Sequence, residues 1–354
     1  MLTVLQASPS ALQIVWFLLV AVLWIGYFFL EGFDYGVAML IPVLGKHDEK
    51  RRRVIINTIG PTWDGNEVWL LTAGGATFAA FPGWYATMFS GLYLPLFLVL
   101  VGLILRGVSF EYRAKRDDLR WKRSFDTTAA IGSLLPALVL GIGFANFVKG
   151  LKTGSDLLLA QGFWSLFNPF ALVGGLLFVA LFLTHGAVFI ALKTRGEIHD
   201  ESRAFAIRSA VVTGVLMLVF AVYQNLAYPA SDNPWFNGSA ITWTTSLLAV
   251  VAVVAAWWFT RAERDGWAFI ATGAAILLLV VDIFVKMYGT LGFIPTDPAH
   301  PLDITTASSS PLTLKLMTIA AAVFVPIVLA YQAWSYWVFR KRLSTANIPA
   351  EAAH

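Results

Sequence analysis

Seven polar side chains interrupt otherwise apolar sequence in the first third of this 354-residue chain: Glu31, Asp34, Asn57, Asp64, Glu67, Arg106 and Glu111. Three of them, with Asn66, fall in the stretch NTIGPTWDGNEVWLLTAGGATFAAFP (57–82), which lies between plain hydrophobic runs. A carboxylate in hydrocarbon costs at least about 2.5–3.5 kcal/mol, so such a span is tolerated only when its acids face protein or water. Spacings of three (Asp64 to Glu67) and seven (Asn57 to Asp64) place these groups on one face of a single helix, and that face is expected to look into a protein interior. Carboxylates spaced along a half-channel are what proton transfer needs, because each can hold or release a proton and a nearby guanidinium biases the balance. Cation conduction by an acidic ring is a competing chemistry, but it requires the acids at one level around a pore. A buried polar network that only fixes helix packing is the plain structural alternative.

The elements that must position these groups are membrane helices. Apolar residues make up 58% of the chain and charged ones 13%, with a mean hydropathy of +0.71; no soluble domain of this length needs so much apolar sequence. The pI near 9.2 does not point to nucleic acid, because the basic residues fall in short clusters between apolar runs. The absence of cysteine excludes disulfides, iron–sulfur clusters and thiolate metal sites. The first thirteen residues hold no Lys or Arg, so no cleavable signal peptide is expected and the first apolar run is retained.

Runs of about 20 apolar residues predict nine spanning helices, at about 11–43, 56–80, 84–112, 125–148, 164–192, 204–227, 241–260, 267–291 and 312–339. The chain therefore reads as an all-α integral membrane protein, one transmembrane domain over 1–342 with a cytoplasmic tail at 343–354. Sheet is not expected, since the runs lack period-two alternation. Twenty of the 25 Lys and Arg lie in alternate loops and only two in the others, which predicts N-terminus out and C-terminus in. Loops 228–240 and 292–311 then lie outside, the longer as a candidate cover for a partner's surface.

On this orientation Glu31 and Asp34, Asp64 and Glu67, and Arg106 and Glu111 occupy the inward half of three successive helices, while the outer half is apolar or aromatic. That asymmetry suggests a polar path opening to the cytoplasm. Gly60-Pro61 is expected to bend the second helix at its start. His185 is the one histidine inside a predicted span, with His47, His199, His300 and His354 in loops or the tail. One such residue cannot ligate several haems, so it reads as a hydrogen-bonded structural histidine. Asp282 and Lys286 form an i, i+4 pair on the eighth helix, Lys286 and Lys315 are placed to snorkel to the interface, and Asn168-Pro169 marks a helix start.

The strings EGFDYGVAML, NTIGPTWDGNEVWLLTAGGATFAAFP and LRGVSFEYRAK together resemble subunit II of the cytochrome bd-type quinol oxidases, closely over the first three helices; FNPF, THGA and the nine-helix layout extend the resemblance over most of the chain. It implies two four-helix bundles plus one peripheral helix, in a bacterial cytoplasmic membrane. It implies a complex that reduces dioxygen to water with electrons from a quinol, haem b and haem d being held by the partner, subunit I. This chain would then carry no haem, no metal and no catalytic residue, and some members hold a structural quinone in this subunit. Asp64 and Glu111 match members of the family's proton-uptake path, with Glu67 beside them; Asp34 and Arg106 match supports of folding or haem assembly, with Glu31 and Asn57 in the same polar cluster. Position 111 is often Asp in the family, so Glu111 keeps the carboxylate on a longer stem, and Thr62 stands where His is common. Expected partners are subunit I, small single-helix accessory subunits and membrane lipid, with quinol and dioxygen as substrates of the complex and no nucleic acid. A proton-coupled secondary transporter and a purely structural subunit are the alternatives.

Overall fold

The computed structural model describes residues 8–46 and 48–348. The first seven residues, His47 and residues 349–354, which include His354 and half of the expected tail, lie outside the described residues.

The chain is helical nearly throughout. Helix α1 (Ala11–Leu44) opens with a capping box in which the Gln13 amide donates to the Ser10 hydroxyl and the Ser10 amide donates to the Gln13 side chain, at 3.4 and 2.8 Å. There follow α2 (Glu49–Ile59), α3 (Trp63–Ala80), α4 (Pro82–Gly91), α5 (Tyr93–Tyr112), α6 (Leu119–Lys149), α7 (Pro169–Lys193), α8 (Glu197–Ala227), α9 (Ser239–Arg261), α10 (Asp265–Met287) and α11 (Pro311–Val338). Among the described residues, eight of these are long and apolar enough to cross a membrane: α1 and α5 to α11. Helix α3 is 18 residues long and carries Asp64 and Glu67. As expected, Asn168 caps α7, accepting from the Ala171 amide at 3.1 Å, with Pro169 in the first turn.

Two predicted helices are broken. The expected continuous span 56–80 is α2 and α3, separated by Gly60-Pro61-Thr62, where Pro61 has no N–H to continue the ladder. Asn57 therefore sits on a different helix from Asp64 and Glu67, and the shared face expected for the three does not exist. The expected 84–112 is α4 and α5, parted at Leu92 because Pro95 cannot donate back to the Gly91 carbonyl.

The loops rich in Lys and Arg meet at one end of the bundle, tied by acids that a count of basic residues ignores. Lys46 pairs with Glu201 at 2.7 Å, Arg51 with Glu197 at 3.0 Å, Arg113 with Glu49 at 2.8 Å, Arg203 with Glu263 at 3.3 Å and Arg342 with Asp265 at 3.1 Å. At the opposite end a short parallel ladder pairs β1 (Leu151–Thr153) with β2 (Phe293–Pro295), a sheet element that the hydropathy pattern did not predict. The long loop beyond β2 packs in part onto its own chain. Leu302, Ile304 and Ala307 are buried, and backbone bonds join Gly83 to Ala307 and Ser309 to Ala80.

The larger of two core clusters is rich in aromatics, with Trp24 against Phe144 at 4.9 Å and Phe28 against Phe178 at 5.1 Å between ring centroids; the smaller, with Phe33, Leu40 and Ile55, lies toward the basic loops. Helices α1 and α7 cross glycine to glycine: a Cβ on Gly36 would lie 1.9 Å from the Phe182 carbonyl, and one on Gly186 would lie 2.5 Å from the Gly36 backbone. Small residues at such a crossing let backbones meet closely in lipid. Helix α11 stands apart, with Leu314 as its one buried residue.

Candidate functional site

Arg106 is fully buried, and a second glycine crossing puts it there. Helices α5 and α6 press together at Gly102 and Gly132, where a Cβ on Gly132 would come within 2.8 Å of the Arg106 amide. The guanidinium projects between α1 and α3. Its Nη2 pairs with Glu31, which is also fully buried, and with Glu67, whose side chain is 26% exposed. The ring of Tyr35 lies 4.8 Å from Cζ and that of Trp63 lies 6.0 Å away, close enough for cation–π attraction. The Tyr35 and Tyr27 hydroxyls are hydrogen bonded to each other.

Asp34, one turn beyond Glu31, is buried and accepts from Asn66 Nδ2 at 2.7 Å. Asn66 Oδ1 in turn accepts from the Tyr336 hydroxyl at 2.8 Å and from Gln332 Nε2 at 3.2 Å, and Gln332 Oε1 accepts from Trp69 Nε1 at 2.9 Å. One polar chain thus links α5, α1, α3 and α11. Within it the Glu31 carboxyl, Asp34 Oδ1, and Arg106 Nε and Nη1 have no hydrogen bond of good geometry among the described residues. One guanidinium offsets one of three neighbouring carboxylates, so the cluster has capacity to hold protons as well as to brace helices.

The structure therefore divides the expected site residues. Glu31, Asp34, Glu67 and Arg106 come together. Asp64 and Glu111 do not join them; both are exposed on the outer surface of this chain, while Asn57 on α2 is exposed to a cavity at the end that carries the basic loops. Within this chain Asn66 and Glu67 take the inward positions of the first turns of α3, which turns Asp64 outward, away from the buried cluster. Asp64 and Glu111 sit on adjacent helix ends, because Trp63 and Phe110 beside them pack at 5.1 Å between centroids. Sequence reasoning missed Tyr27, Tyr35, Gln332 and Tyr336 as members of the cluster. Tyr27 and Tyr35 flank Glu31 and Asp34 at helical spacing and were legible in principle; nothing local signals that α11 delivers the other two.

Three further expectations are settled by geometry. His185 is buried, with Nδ1 2.7 Å from Thr272 Oγ1, Nε2 3.1 Å from the Phe29 carbonyl and its ring stacked on Phe269. With both nitrogens engaged, this residue does not fit an axial haem ligand. Asp282 and Lys286 do not pair with each other. Asp282 accepts from Gln224, from Thr245 at 3.0 Å and from Ser246 at 2.7 Å. Lys286 is buried and does not snorkel; it caps the end of α8 by donating to the Gln224 and Tyr228 carbonyls at 3.0 and 2.6 Å. The carbonyls at a helix end are unpaired and partly negative, and they suit a cation better than a lone neighbouring carboxylate already held by three donors.

Residues 12–339 match the family described as cytochrome bd terminal oxidase subunit II. The chain is 42% identical over 335 residues to the cytochrome bd ubiquinol oxidase subunit 2 of Bacillus subtilis, covering 95% of this chain and 98% of that one. It is 37% identical over 368 residues to the cytochrome bd-I ubiquinol oxidase subunit 2 of Escherichia coli, covering 96% and 97%. Its fold matches a chain of the bd oxidase from Geobacillus thermodenitrificans with a TM-score of 0.70 over 93% of this chain and 99% of that one, at 19% identity. Matches of this length and identity, on a helical membrane chain with a buried Arg106 cluster, make it a member of the cytochrome bd terminal oxidase subunit II family, the second subunit of a quinol oxidase.

Proposed function

We propose that this chain is the haem-free partner of a haem-bearing subunit I in a bacterial cytoplasmic membrane, and that it has two tasks. The buried cluster of Glu31, Asp34, Glu67 and Arg106 braces α1, α3, α5 and α11, so that the face offered to subunit I is rigid. Asp64 and Glu111 form part of the route by which cytoplasmic protons reach the oxygen-reducing haem of that subunit, with Glu67 as the link between the outer acids and the inner cluster. In the complex quinol supplies the electrons and dioxygen is reduced to water. Protons released outside by quinol and taken from inside by oxygen build a gradient without pumping.

The observation that carries this reading is the position of Asp64 and Glu111. They are exposed at the edge of a surface otherwise formed by Leu71, Phe97, Leu100, Ile104 and Val108. Carboxylates are expensive against lipid, so the face is read as covered by protein, with the acids at the seam. The chain is read as crossing nine times, α3 included, in two four-helix bundles with α11 apart, and with the basic loops inside. The domain is taken as 1–342 and the tail as 343–354. Small single-helix accessory subunits and a structural quinone remain part of the expected assembly.

The test uses the purified two-subunit complex, fully reduced and then mixed with oxygen while a pH dye reports proton uptake. Asp64→Asn and Glu111→Gln are expected to slow the proton-coupled phase while the haem spectrum stays that of the parent complex. Uptake at the parent rate in both variants would leave the purely structural role, which the buried ion pair favours on its own. A proton-coupled transporter is distinguished by purification, since it would lack a coloured second large subunit.

A further inference from the structure

A cavity of about 720 Å³ opens at the end of the bundle that carries the basic loops, between α1, the break after α2, α7, α10 and the end of α11. Its wall is apolar and aromatic, with Phe29, Phe33, Phe189 and Phe269 among its residues, and it reaches Tyr336, the hydroxyl that holds Asn66. Its rim carries four cations, Lys193, Arg340, Lys341 and Arg342, and no carboxylate lines it. The rim is ordered by its own contacts. Arg340 is stacked 4.2 Å over Trp337, Lys193 donates to the Phe339 carbonyl, and a backbone bond from Leu343 to Lys193 at 2.7 Å ties the strand after α11 to the end of α7. Arg342 is partly offset by Asp265; Arg340 and Lys341 are exposed and have no acidic partner among the described residues.

We propose that this cavity binds one anionic glycerophospholipid of the inner leaflet, its phosphate held by Arg340, Lys341 and Lys193 and part of an acyl chain seated among the phenylalanines. The chemistry selects this occupant. An apolar slot beneath a ring of cations at the level of the headgroups matches a negative group joined to a hydrocarbon chain. A quinone is uncharged and gains less from four cations than a phosphate does, and a free phosphate gains nothing from the aromatic wall. The lipid would also touch Tyr336, so its binding is linked through Asn66 to Asp34. The inference rests on the membrane orientation proposed above, but not on proton transfer through Asp64.

The test is native mass spectrometry of the intact complex, delipidated in detergent and titrated separately with phosphatidylglycerol and phosphatidylcholine, for the parent and for the Arg340→Gln/Lys341→Gln variant. The parent is expected to retain phosphatidylglycerol in preference to phosphatidylcholine, and the variant to retain it roughly 10- to 30-fold less well, as two lost surface cations imply. Leu343→Trp, which narrows the mouth without changing charge, is expected to lower retention of the same lipid. An unchanged haem spectrum and subunit ratio will show that each variant assembles, which separates failure of this site from failure of the subunit reading. Equal retention of the two lipids, no change in either variant, or a quinone that occupies the cavity in place of phospholipid would overturn the proposal.

Discussion

Asp34 on α1 and Tyr336 on α11 never touch, yet a single side chain joins them: Asn66 donates to one at 2.7 Å and accepts from the other at 2.8 Å. Since α11 buries almost nothing else, this bridge, the bonds of Gln332 to Trp69 and Asn66 at 2.9 and 3.2 Å, and the bond from Trp16 Nε1 to Thr318 Oγ1 at 3.0 Å are its main polar attachments to the bundle. Tyr336→Phe removes one hydroxyl and is expected to cost about 0.5–1.5 kcal/mol. Asn66→Leu strands Asp34 as well and is expected to cost more, about 1–3 kcal/mol. Thermal unfolding of the purified complex would rank the two, and faster proteolytic cleavage in the loop before α11 would show that this helix is the part released.

The ion pair of Arg106 with Glu31 predicts a larger effect with a specific rescue. Arg106→Met leaves a buried carboxylate without its partner and is expected to destabilise the subunit by about 3–5 kcal/mol, seen as lost yield and a lowered unfolding midpoint. Arg106→Met with Glu31→Leu removes both charges and is expected to recover much of that loss, because Glu67 is partly exposed and can be solvated. A double variant as unstable as the single would show that the pair is not the source of the effect.

Glycine effects should follow the crossings and not helix propensity. Gly186→Ala is expected to cost about 1–3 kcal/mol or more by forcing α1 and α7 apart. Gly143→Ala, where an added Cβ meets nothing within 4 Å, is expected to be neutral or stabilising by up to about 1 kcal/mol. Comparing the two by unfolding midpoint separates packing from backbone entropy.

These sites also show how far the sequence could be read. The helical, membrane-embedded character was legible because apolar length is governed by the bilayer, which acts on every span alike. The pairing of Arg106 with Glu31 and Glu67 was only half legible. A buried guanidinium demands carboxylates, but which of five acids it meets depends on helix rotation, and rotation is set by the glycine crossings at Gly36 and Gly102. The shared face drawn through Asn57, Asp64 and Glu67 failed because a single Pro61 resets the helical phase between the first of these and the other two. Asp282 and Lys286 have the right spacing for a pair, yet each found better partners on α8 and α9, which no i, i+4 rule describes. The inward turn of Tyr336 and Gln332 is a tertiary fact with no local signature.

The role of the outward acids is tested most directly by quinol-driven oxygen consumption of the Asp64→Asn complex, normalised to haem content. Asp64 is exposed on this chain and pairs with nothing in the buried cluster, so its loss should leave folding and haem insertion intact. Turnover is expected to fall on the order of tenfold or more, as for removal of a proton-transfer group, with the haem spectrum unchanged. A variant that assembles with full haem and consumes oxygen at the parent rate would contradict the account.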